Sequence, residues 1–262
     1  MRKIIAITFA LMLMVGEACA FRGFGHQTIA AIADNHLAEN TKREVYSILK
    51  ADNMVKHANW VSSQRNRVKR VSEWQYATLD VNGKSTTTYE NDGVVVIEKA
   101  TEVLRNRKNE SDSLVFASLC TLIEIVGEIH CPGNIHIDGN DATKNFAFTG
   151  WNGRKVEEKN RLKSKWREMW HNYTKTHDVF TPQYYAEDLE IILLKKKAEY
   201  EKGTPRFWAE NVGEDVVWCL KEIYPEAEVT NETVYRYEDI NNRCMAKAGY
   251  RLAALLNDIF KQ

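Results

Sequence analysis

Apolar positions recur at three- and four-residue steps along most of this chain, the period of helices with one buried face. Over 26–39 the recurring positions are Ile29, Ile32, Ala33 and His36. A second helix is expected to start at Asn40 or Thr41, with Val45, Ile48 and Leu49 as its stripe and Asn40 able to cap its first free amides. The same period predicts helices over 93–107, 112–130, 161–173, 183–202, 206–223 and 231–260. Two short hairpins are expected, over 74–88 around Asn82-Gly83 and over 146–156 around Asn152-Gly153, because each pair supplies positive-φ positions for a tight turn. With four prolines and no Gly/Ser-rich linker or repeat, the pattern predicts an all-α protein in one domain.

The first twenty residues break this pattern. Arg2 and Lys3 precede an apolar run over 4–15, and Ala18-Cys19-Ala20 offers a small-x-small site. Together these read as a secretory signal peptide over 1–20, cleaved to leave Phe21 first in a domain over 21–262, with a secreted or periplasmic destination. A lipoprotein signal acylated at Cys19 ranks second, because Gly16 stands where a large aliphatic residue is expected. A run of twelve residues is too short for the roughly 30 Å hydrocarbon core, so no membrane partner is expected.

Composition narrows the partners. Hydrophobic residues make up 44% and charged residues 27%, a soluble globular balance. The 36 Lys and Arg balance 36 Asp and Glu, which removes non-specific nucleic-acid binding driven by net positive charge. Signal cleavage leaves Cys120, Cys131, Cys219 and Cys244, an even number without a C-x-x-C pair, so disulfides and buried thiols both stay open.

The helix over 112–130 carries the strongest chemical signal. From Leu114 to His130 it is almost wholly apolar, yet it contains Glu124 and Glu128, four residues apart and therefore on one face. Two buried like charges need a cation, a metal or a shared proton; on a solvated face they would be merely solubilising.

Several stretches resemble one family. The segment FRGFGHQTIAAIADNHL from Phe21, IEIVGEIHCP from Ile123 to Pro132, WREMWH from Trp166 to His171 and AGYRLAALLN from Ala248 to Asn257, together with Asn59-Trp60 and Trp74, are similar in order to the motifs of the S1/P1 nucleases. The resemblance spans nearly the whole mature chain. It implies a mostly helical domain of the phospholipase C/P1 nuclease type that holds three zinc ions, cleaves single-stranded nucleic acid and removes 3′-phosphates from nucleotides. It also implies that the amine and carbonyl of the mature first residue bind metal, so signal cleavage would help assemble the site.

Carried over residue by residue, the family's ligand pattern changes here. Its aspartate after the alanine-tryptophan motif falls on Ser62, the histidine of its W-H-Y pattern on Gln75, and the histidine and bridging aspartate of its central helix on Glu124 and Glu128. The histidine after the proline falls on Asn134, with His136 two residues late, and Arg167 and His171 stand where a histidine and an aspartate belong. His26 is kept by identity and Phe21 by position. Zinc takes three or four good nitrogen, oxygen or sulfur donors, so two of the three sites are expected to be lost. One ion at most, or none, is expected, held by the Phe21 amine and carbonyl, His26 and Glu128. Arg167 is a candidate salt-bridge partner for Glu124 or Glu128 in place of a metal.

Other chemistry is weaker. His36 and His57 lie outside any ligand pattern, whereas His130, His136 and His171 could form a rearranged metal site with Glu124. Trp60, Trp74, Trp151, Trp166 and Trp170 are candidates for base stacking or for core packing. Asn109, Asn172 and Asn231 begin glycosylation acceptor triplets. Three readings follow: a degenerate family member that binds single-stranded nucleic acid or a nucleotide as a binding or regulatory protein, an active phosphoesterase or endonuclease with a reduced metal site, and a structural helical module.

Overall fold

A computed structural model describes residues 22–64, 67–68, 71–86, 89–140, 143, 181–222 and 230–261. The helices are α1 (Arg22–Asn35), α2 (Glu39–Leu49), α3 (Trp60–Ser63), α4 (Gly93–Arg105), α5 (Asp112–Glu128), α6 (Pro182–Leu193), α7 (Lys197–Tyr200), α8 (Pro205–Glu222) and α9 (Asn231–Phe260). The helix expected over 161–173 and the hairpin expected over 146–156 lie outside the described residues. Among the described residues no helix is long and apolar enough to cross a membrane.

The protein is a mostly helical domain built around α5. From Ser118 to Glu128 every residue of α5 is buried, the environment of a helix apolar on all sides. Helix α4 packs along it, and α1, α2, α3 and α9 also contact it. Helix α1 in turn lies between α6 and α9. Gly249 allows the α1–α9 approach, since a Cβ there would stand 2.5 Å from Ile32 Cγ2.

Local signals set several helix starts. Ser111 caps α5, its Oγ accepting from Leu114 N at 3.4 Å, and Thr181 caps α6, with Pro182 at the first helical position. Asp92 caps α4 through Val94 N at 2.9 Å and also accepts Thr78 N at 2.7 Å. The cap expected at Asn40 is not made: α2 starts at Glu39 after Ala38, and the Asn40 amide donates to Phe260 O at 3.1 Å. A contact with the far end of the chain takes the side chain that local sequence offers as a cap.

Around Asn82-Gly83 the chain does turn back. Gly83 has φ 76°, and Leu79 and Ser85 form an antiparallel bridge. The strand entering that turn, β1 (Ala77–Leu79), finds its main partner elsewhere: it pairs in parallel with β2 (Ile135–Ile137), Ala77 opposite Ile135 and Leu79 opposite Ile137. The helix expected over 183–202 is interrupted by a 3-10 turn, Leu194–Lys196, between α6 and α7. Cys120, Cys219 and Cys244 are buried thiols without a disulfide.

Candidate functional site

Both glutamates of α5 are buried, Glu124 at 1% and Glu128 at 0% exposure, which excludes a solubilising role. Each is met by a side chain from another element. The short helix α3 is fixed on α5 by Trp60, whose ring stands edge-on to Phe116 at 5.5 Å. That docking brings Ser62 over Glu124: the Ser62 amide donates to the two carboxylate oxygens at 3.0 and 3.2 Å, and the Ser62 hydroxyl also donates to Oε1.

Burial pushes the Glu124 carboxyl above its ordinary range; nearby His26 and the Ser62 donors pull it back, while Glu128 raises it further. His26, fully buried on α1, places Nε2 3.4 Å from Glu128 Oε1. Gly127 makes this approach possible, because a Cβ there would lie 2.9 Å from His26 Nδ1 and 3.1 Å from Ile29 Cδ1. Ligand-pattern reasoning passes over Gly127; its signal is a glycine inside an otherwise apolar helix, a position that costs helix stability unless packing needs it.

Asn134 completes the cluster. It is fully buried in the 3-10 turn Pro132–Asn134, and its amide nitrogen donates to Glu128 Oε2 at 2.6 Å and to Glu128 O at 3.1 Å. Both partners are acceptors, which fixes the orientation of the amide. Gln75 ends the 3-10 turn Val71–Gln75, is 5% exposed, and belongs to an element that packs on α3 and α5. The structure therefore gathers Ser62, Glu124, His26, Glu128 and Asn134, with Gln75 on an adjoining element. Phe21, Arg167 and His171 lie outside the described residues, as do Trp151, Trp166 and Trp170.

The other histidines have different employment. His130 Nδ1 meets Val126 O at 2.6 Å and its Nε2 meets Arg251 NH1 at 2.9 Å. Burial, followed by the Arg251 charge, drives the His130 pKa well below its ordinary value. The neutral ring thus donates from Nδ1 and accepts at Nε2. His136 turns its Nδ1 to Thr143 O at 2.9 Å and its Nε2 toward Asp138 at 3.4 Å. Both rings are held by groups other than Glu124. His36 pairs with Glu190, and His57 stands edge-on to Phe116. Among the described residues no three His, Cys, Asp or Glu side chains converge as a metal-binding group.

The sequence profile of the S1/P1 nuclease family matches residues 21–261. The chain belongs to the S1/P1 nuclease family. No curated protein matches it. The family is typically zinc-dependent and acts on single-stranded nucleic acid. Against that background, the S1/P1 helix segment Ile123 to Pro132 is the one whose carboxylates meet Ser62, His26 and Asn134.

Proposed function

We propose that this S1/P1-family protein is a degenerate member that has lost the trinuclear zinc centre and acts as a binding or regulatory protein for single-stranded nucleic acid or nucleotides. The observation that carries this reading is the direction of the hydrogen bonds. Ser62 and Asn134 turn hydrogens toward Glu124 and Glu128, where bound cations would need converging lone pairs. The described donor set does not fit a multinuclear zinc centre. Trp60 and Ser62, both partly exposed on α3, put an aromatic ring and a polar side chain close together on one short helix, elements that suit an unstacked base.

A second reading is favoured by the closeness of His26 and Glu128, 3.4 Å apart. With the Phe21 amine and carbonyl they make a chemically adequate set for one zinc ion, which would leave a phosphoesterase with a reduced metal site. That assembly requires cleavage after Ala20, because only a free amine at Phe21 has a lone pair to give.

Elemental analysis of protein processed to Phe21, prepared without chelator or metal-affinity tag, separates the readings. Zero zinc, with single-stranded oligonucleotide bound but not cleaved, supports the binding protein. One zinc with phosphate release supports the reduced enzyme. Three ions per chain with nuclease activity would overturn the degenerate reading.

A further inference from the structure

The end of α6 and the start of the 3-10 turn after it place three large aliphatic side chains in water: Ile191 is 83% exposed, Ile192 60% and Leu194 50%. The opposite face of α6 buries Tyr185, Ala186 and Leu189, and the helix packs on α1 and α9. The helix is therefore already seated in the domain, and these aliphatics form a second face that nothing among the described residues covers. Single exposed aliphatics are ordinary; three within four positions mark an interaction surface.

The charges around this face have an order. Glu187 and Asp188 stand one turn before the aliphatics, and Lys195 and Lys196 follow them, all four exposed. Lys196 pairs with Glu199 at 3.2 Å, whereas Asp188 and Lys195 have no ion-pair partner among the described residues. Acid, aliphatic, base is a pattern complementary to itself when read in reverse. A two-fold axis passing between Ile191 and Ile192 sets Ile191 against Ile192 of a second copy, and Asp188 against Lys195 of that copy. This is the isologous arrangement typical of two-fold homodimers.

We infer that the face formed by Ile191 and Ile192 at the end of α6, with Leu194 beside them, is an antiparallel two-fold interface between two copies of this chain. The aliphatics supply the apolar contact, and the Asp188–Lys195 pairs set direction and register rather than strength. One helix pair buries less than the roughly 1,200 Å² of a standard stable interface, so the association is weak. An anionic lipid surface fits less well, because Glu187 and Asp188 stand directly beside the aliphatics and would be repelled.

Sedimentation velocity of the full mature chain from about 10 μM to about 1 mM tests this. A monomer–dimer equilibrium is expected, and Ile191→Asp is expected to weaken it by about tenfold or more with unchanged helix content. Asp188→Lys alone should abolish self-association by placing lysines opposite lysines. Asp188→Lys combined with Lys195→Asp in the same chain should restore it, an outcome specific to self-complementary pairing. A chain monomeric at the highest concentration, a dimer indifferent to Ile191→Asp, or a double reversal that stays monomeric would each overturn the inference. Co-sedimentation with phosphatidylserine vesicles without self-association would also overturn it and reassign the face to lipid.

Discussion

The Asn134 amide donates at once to the Glu128 carboxylate and to the Glu128 carbonyl, at 2.6 and 3.1 Å. One side chain therefore meets one oxygen of the acid that ends α5 and, beside Cys131 N, the carbonyl of the same residue. Asn134→Ala should leave both acceptors buried without this donor and destabilise the protein by about 1–3 kcal/mol. Urea denaturation with an unchanged slope would register this as a lower midpoint; an unchanged midpoint would show that Asn134 does not support the buried acid.

Gly127 and His26 form a second coupled pair. A Cβ at 127 would sit 2.9 Å from His26 Nδ1, so Gly127→Ala should cost about 1–3 kcal/mol despite alanine's better helix propensity. In a His26→Ala background the closest obstruction is gone and only Ile29 Cδ1 at 3.1 Å remains, so the same Gly127→Ala change should cost less. Equal costs in the two backgrounds, measured as a double-mutant cycle, would show that His26 is not the obstacle.

Asp92 gives a signature in pH. Burial raises its carboxyl from 3.8 to about 6, against the opposing effect of the Val94 and Thr78 donors. The folded state thus holds this proton more tightly than the unfolded chain does. The associated stability is complete below about 3.8 and is lost as pH rises through about 6, by up to about 3 kcal/mol. Comparison of wild type with Asp92→Asn between pH 4 and 7 should show that component of the slope vanish in the variant, and a carbon-detected titration should place the Asp92 midpoint near 6.

Replacing the donors at the site by ligands should create a metal requirement. Ser62→Asp sets a second carboxylate against buried Glu124 in place of a hydroxyl donor. Without metal the variant should melt below wild type, by several degrees for each few kcal/mol lost. Combined with Gln75→His and Asn134→His, it should gain a zinc-dependent rise in Tm and higher zinc content. Scanning calorimetry with zinc and with chelator checks this; a triple variant indifferent to zinc would show that these positions no longer converge on a metal.

Arg251 binds His130 and also donates to Tyr200 O at 2.9 Å and Asn211 Oδ1 at 3.1 Å, so α9 is tied to the turn after α5, to α7 and to α8 through one guanidinium. Arg251→Met should preserve much of the volume but strand these acceptors, two of them buried, lowering stability by about 2–4 kcal/mol. Arg251→Lys should recover only part of the loss, because an ammonium cannot reproduce the planar fork. Equal stability of the arginine and methionine forms in chemical denaturation would count against this role.

Local sequence patterns were enough to predict the helical character, the extents of α4, α5, α8 and α9 to within two residues where 3-10 turns do not intervene, and two carboxylates on one face of a buried helix. These properties reside in local periodicity, capping residues and apolar run length, which act over a few neighbouring positions. The Asn82-Gly83 turn was legible for the same reason. The partner of β1 was not: parallel pairing joins Ala77 to Ile135 across α4 and α5, and no local pattern encodes that register. Nor could sequence say that Asn40 would bond Phe260 instead of capping α2, or that His130 would be bound to Arg251. The nature of the site was likewise tertiary. Ser62, His26 and Asn134 come from three separate elements, and which atom of each faces Glu124 or Glu128 is fixed only when α1 and α3 dock on α5. Side-chain direction follows from packing, and packing is shared among distant parts of the chain.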